Sequence, residues 1–73
     1  MFVRFKDTKK TGVGGKPIYN GVIIHDGKKH TFTSYVPSLS AWNKNTHEAV
    51  RKAMRAEVIE YFNTSPYLFE EIK

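Results

Sequence analysis

The chain predicts an α+β fold: a small antiparallel sheet of three strands packed against one amphipathic helix, with the C-terminal segment offering a fourth strand. Three observations carry this. Three short runs before Pro37 are rich in apolar and β-branched residues, and Asp26-Gly27 joins the last two, a pair that accepts the positive φ of tight hairpin turns. Residues 46–62 then place Ala49, Val50, Ala53, Met54, Val58, Tyr61 and Phe62 at the spacing of a buried helical stripe. Finally, 73 residues without a cysteine leave one modest apolar core, with no disulfide or thiolate–metal staple, to hold the fold as one domain.

Phe2 to Lys6 alternates as a first strand, with Val3 and Phe5 on one face. DTKKTGVGGKP, residues 7–17, reads as a mobile loop or wide hairpin connection. Ile18 to His25 and His30 to Val36 are the second and third strands. A two-residue turn would put Ile24 opposite Lys29 and Gly21 opposite Phe32, scattering apolar residues over both faces. A three-residue loop, or a bulge near Lys28, pairs Val22 with Phe32 and Ile18 with Val36 instead. A half-buried sheet needs segregated faces, so this odd register is the expected one. It turns Ile18, Val22, Ile24, Phe32 and Val36 inward, and leaves Tyr19, Gly21, Ile23, His25, Lys29, Thr31, Thr33 and Tyr35 on the other face.

The helix is expected from about Thr46 to Phe62. Asn45 or Thr46 supplies the N-cap, and Glu48 stands at capping-box distance from Asn45. Arg51, Lys52 and Arg55 fall on the outer side, and Asn63-Thr64-Ser65-Pro66 ends the helix. The tail reads as a strand with Leu68 and Ile72 inward, although Ser65-Pro66 equally suits the start of a short helix.

The formal charge is +5, unevenly spread. Residues 1–55 carry eleven Lys and Arg against Asp7, Asp26 and Glu48, a balance of +8, while residues 56–73 carry Lys73 against four glutamates, a balance of −3. A field of this sign favours polyanions or an acidic protein patch. No apolar run is long enough for a membrane span and MFVRFKD lacks a secretory signal, so a cytoplasmic location is expected.

Residues for chemistry are sparse. His25 and His30 flank one hairpin, but a stable zinc site wants three or four ligands and no cysteine is available; no two carboxylates form an acid–base pair, and no nucleophile motif is present, so neither an enzyme nor a cofactor is expected. The loop at Gly12 to Lys16 lacks the order of a nucleotide-binding P-loop. Glu57, beside the buried stripe, is expected at the helix edge or paired with a sheet lysine. Trp42 is expected to fold back as a lid over the core.

The stretch SYVPSLSAWNKNTHEAVRKAMRAEVIEYF resembles the HicB antitoxin family. Pro37, Ser38 and Leu39 match its Pro-Asp-Leu-like strand end with Ser for Asp, Trp42 to Asn45 occupy the approach to the helix, and Glu48-Ala49 match the helix start. The resemblance covers residues 18–63. It implies a small sheet with one helix, like a reduced ribonuclease H-like unit, and a non-enzymatic module that binds and blocks a small ribonuclease toxin. The topology is also similar to integrase arm-binding and plant transcription-factor domains, which lay a sheet face into the DNA major groove.

Two working readings follow, beside a purely structural role in a phage or mobile element. In the first, a regulatory module engages a protein partner through Tyr19, Tyr35 and Trp42. In the second, the sheet binds nucleic acid, with Lys9, Lys10 and Lys16 on phosphates and Lys28, Lys29, Thr31 and Thr33 near the groove. Exposed strand edges also suit a homodimer.

Overall fold

The computed structural model describes residues 1–72. Strands β1 (Phe2–Thr11), β2 (Pro17–His25) and β3 (Lys28–Tyr35) are followed by a short helix α1 (Leu39–Trp42), the long helix α2 (His47–Thr64) and strand β4 (Glu70–Ile72). The sheet is antiparallel, in the order β1-β2-β3-β4. The α+β class is as the sequence predicts, with four strands present. No helix is long and apolar enough to cross a membrane.

One face of the sheet packs on α2. Val3, Ile23, Phe32 and Tyr35 meet Val50, Met54 and Val58, and Phe5, Tyr19, Ile59, Phe62 and Phe69 pack around them. Ile23 at the centre is completely buried. The helix starts as its sequence dictates: Thr46 is the N-cap, its hydroxyl accepting from the Ala49 N–H at 3.1 Å, and Glu48 in the first turn complements the positive end of the helix dipole. The cap is Thr46, so the alternative built on Asn45 and Glu48 is not the one used. The helix continues to Thr64, whose hydroxyl donates back to the Glu60 carbonyl, before Pro66 opens a single 3₁₀ turn.

The register differs from the odd one expected. Asp26 and Gly27 form a two-residue turn with φ of 53° and 74°, as a type I′ turn requires, and His25 pairs with Lys28. Ile24 therefore faces Lys29 and Gly21 faces Phe32, the pairing that divides the apolar residues between both faces. A bulge then reconciles this with the core. Between the pairs Gly21–Phe32 and Tyr19–Tyr35 the third strand has one extra residue. Ser34 sits there at φ 60° and its N–H donates to Asn20 Oδ1 at 3.1 Å. The bulge brings Phe32 and Tyr35, three apart, onto the same face. Tyr19, Gly21, Ile23, His25 and Tyr35 therefore belong to the helix side, and Val22 and Ile24 to the opposite one, the reverse of the expected assignment.

Three further expectations are corrected. Residues 7–11 continue β1 through an irregularity at Lys9 (φ 64°), where the Lys9 N–H donates to Asp7 Oδ1 at 2.8 Å, so the loop is confined to a tight turn around Val13–Gly15. Trp42 is no lid: it is 38% exposed at the end of α1, whose Ala41 takes the inward position instead. The tail forms both a 3₁₀ turn and a strand, but Leu68 and Ile72 point outward while Phe69 is drawn in, its ring 5.7 Å from that of Phe32 and 5.3 Å from that of Phe62.

Candidate nucleic-acid interface

Helix α2 covers only one face of the sheet, so the other is open. Its composition follows from the register. One row across the sheet is Phe2, Ile24, Lys29 and Ile72; the next is Arg4, Val22, Thr31 and Glu70; a third begins with Lys6 and Asn20. Phe2, Arg4, Lys6, Lys29 and Ile72 are exposed, and Val22 and Ile24 are half-buried beneath them. The Arg4 guanidinium lies 5.8 Å from the centre of the Phe2 ring, a flat aromatic–cation platform. A depression of about 330 Å³ runs between Phe2, Arg4, Val22, Ile24, Lys29 and Ile72.

The charges on this face are free. Among the described residues the one ion pair is His25–Asp26, at 3.4 Å near the hairpin turn. Among the described residues Arg4, Lys6 and Lys29 have no carboxylate partner, and the single carboxylate at these register positions is Glu70, on edge strand β4. Asp7 falls on the helix side opposite Tyr19. The surface thus offers three unpaired cations among apolar and hydroxyl groups. Chemically it can neutralise an anion and stack a flat ring.

The residues expected at a site are distributed unevenly over this surface. Lys29 and Thr31 lie on the open face, where the Thr31 hydroxyl donates to the Glu70 carbonyl at 3.3 Å. Lys28 pairs opposite His25 and so belongs to the helix side at the tip of the hairpin; Thr33 is exposed in the bulged segment. Lys9 and Lys10 are exposed at the far end of β1. Lys16 is engaged internally, its Nζ donating to the Pro37 carbonyl at 2.7 Å. Tyr19 and Tyr35 are core residues: the Tyr19 ring packs edge-on to Phe5 and Tyr35 is buried. Phe2, Arg4 and Lys6 complete this face, although none of them is among the site residues expected from the sequence. Their signal was present in FVRFK, since the strand that turns Val3 and Phe5 inward must turn these three outward.

Tyr35 forms part of a second polar cluster. Its hydroxyl donates to Glu57 Oε1, which also accepts the Ser38 N–H at 3.2 Å, while the Ser38 hydroxyl donates to Glu57 Oε2. The same Ser38 oxygen caps α1 by accepting from the Ala41 N–H at 3.1 Å. Burial raises the Tyr35 pKa, and the hydrogen bond to Glu57 and its charge raise it further. For Glu57, burial alone would raise the pKa, but hydrogen bonds from Ser38 and Tyr35 and the nearby Lys16 charge outweigh it, so the net shift is downward. A neutral tyrosine donating to an ionised carboxylate is a clamp between the end of β3 and the middle of α2. Among the described residues no three His, Cys, Asp or Glu side chains converge on a common point as a metal site would require; His25 and His30 instead flank the Phe62 ring, 5.8 and 4.8 Å away.

Comparison with protein-family models, curated proteins and solved structures gave no match.

Proposed function

We propose that this protein is a non-enzymatic binding module that engages nucleic acid through the open face of its sheet. The observation that carries the reading is the set of cations Arg4, Lys6 and Lys29, unpaired among the described residues, beside the exposed Phe2 ring on a sheet face that no described element covers. Each unpaired cation can displace a counterion from a phosphate, which is the main source of affinity for nucleic acid and makes that affinity salt-dependent. Lys28, Lys9 and Lys10 extend the field beyond the face itself. Lys16, tied to Pro37, is assigned to holding the chain together.

Fluorescence anisotropy with labelled oligonucleotides across about 50–300 mM salt tests this, since affinity is expected to fall with a log–log slope of about 2–3 for three phosphate contacts. Arg4→Glu and Lys29→Glu should each weaken binding and flatten the slope. Absence of binding at about 50 mM salt overturns the reading.

A protein-binding role of the HicB type is the second reading, favoured by a different surface. Among the described residues β4 pairs only with Lys29–Thr31, and beyond it the edge of β3 faces a cleft of about 420 Å³ bordered by Tyr61, Leu68 and Phe69. Extended peptides add to such edges. On that reading the module would bind a small ribonuclease toxin and suppress its activity, and the same anisotropy titrations would stay flat.

A further inference from the structure

Arg51 and Arg55 lie one helical turn apart on α2, both exposed, and neither has a carboxylate partner among the described residues. Like charges at this spacing repel and cost helix stability. They share the outer helix surface with His47, Glu48 and Lys52, and they also border the sheet. With Arg4, Phe2 and Phe5 they line one groove of about 200 Å³, formed where α2 runs beside β1. β1 is the outermost strand, so the groove lies against a sheet edge with no strand partner. Arg4 belongs to both surfaces: it lines the open-face depression and this groove. The cationic surface is therefore continuous around the edge of β1, from Lys29 and Lys6 on one side to Arg51 and Arg55 on the other.

We infer that the ligand is single-stranded nucleic acid, and that it crosses the free edge of β1, with Arg51 and Arg55 holding its phosphates in the groove and the Phe2–Arg4 platform stacking a base on the open face. This rests on the nucleic-acid reading above and narrows it. A duplex has a persistence length of about 50 nm and behaves as a rod over a body whose longest extent is 35 Å, so it reaches the open face or the groove, not both. A single strand bends at every nucleotide. Its bases have exposed π-faces, which an aromatic ring with a neighbouring guanidinium stacks regardless of sequence. A guanidinium fork also suits a phosphate better than a lysine does.

The test uses the full chain with oligo-dT, oligo-U and a duplex of matched length, each titrated across a salt series. Both single strands should bind more tightly than the duplex, and their ratio distinguishes DNA from RNA as the preferred source. Arg51→Glu and Arg55→Glu should each weaken single-strand binding about tenfold or more and lower the log–log slope by roughly 0.7–1. Lys44→Glu makes the same change in net charge outside the groove and should have far less effect. Phe2→Ala should weaken binding about tenfold with the slope unchanged, because stacking releases no counterions. All four positions are exposed, and circular dichroism confirms that each variant is folded. If Arg51→Glu and Arg55→Glu bind as the parent does while Lys29→Glu is impaired, the groove is not part of the interface; the inference falls and the open-face reading stands. Tighter binding of the duplex also overturns the inference alone. If no nucleic acid binds the parent, both are overturned.

Discussion

Glu57 accepts three hydrogen bonds from Tyr35 and Ser38, and its response to pH follows from the direction of its shift. A carboxylate whose pKa is lower in the folded chain than in the unfolded one contributes stability that is complete above the unfolded value, about 4.3, and is lost as pH falls through the folded value. Tyr35 works in the opposite sense. Its raised pKa means that its contribution is complete below the ordinary tyrosine value of about 10 and fades at higher pH, as the unfolded chain ionises first. Thermal melts should therefore show acid destabilisation beginning near pH 4 that Glu57→Gln largely removes. At neutral pH the same variant should be less stable by on the order of 2 kcal/mol, since hydrogen bonds to a charged group are lost while their donors stay half-buried. Equal pH profiles for parent and variant would show that the clamp contributes nothing to stability. Neither Tyr35 nor Ser38 could be paired with Glu57 from the sequence, because the contact spans β3, α1 and α2 and depends on the bulge that turns Tyr35 inward.

At the scale of elements, the strands and helix were legible from local chemistry, and their register was not. The hairpin signal Asp26-Gly27, the cap at Thr46 and the stripe Val50-Met54-Val58 all act within a few residues of themselves, and all appear in the structure. The odd offset expected from a three-residue loop or a bulge near Lys28 gathers Phe32 with Val22 and Val36, but the irregularity lies at Ser34, where no local signal marks it. The chain instead keeps the favoured two-residue turn and inserts one residue at Ser34. Gly21 makes that choice workable. It faces Phe32 across the strands, and a methyl group there would meet the Arg4 carbonyl oxygen and the Phe32 ring. The ring thus occupies the space a side chain would take, covering the glycine backbone. Gly21→Ala should cost roughly 1–3 kcal/mol, because one obstacle is main chain and the other a buried ring. Denaturant unfolding checks this: a midpoint equal to the parent's would mean that the two strands separate more easily than the packing implies.

For the molecule as a whole, charge and stability pull in opposite directions. The balance of +8 over residues 1–55 is concentrated around β1 and α2, where cations outnumber carboxylates and no ion pair forms among the described residues. Arg55→Gln relieves the repulsion with Arg51 and should raise the melting temperature by roughly 1–4 °C at low salt, an advantage that should shrink as salt is added. A lower melting temperature would mean that Arg55 is held by contacts that outweigh the repulsion. The total charge was evident in the sequence, but its convergence was not: Arg4 and Arg55 are distant in the chain and meet only because α2 lies along β1. The unpartnered rim of β1 has a consequence for self-assembly. A bare strand edge is a template onto which identical chains can add, and natural proteins commonly guard such edges with charge. Arg4 and Lys6 stand where such a guard would, and their charge would repel the like charge of a second copy. The same residues would then have two duties. Replacing them with neutral, β-favouring residues would remove an affinity for anions and also open the path to edge-to-edge fibres, whereas a bound polyanion would mask the charge while covering the edge itself.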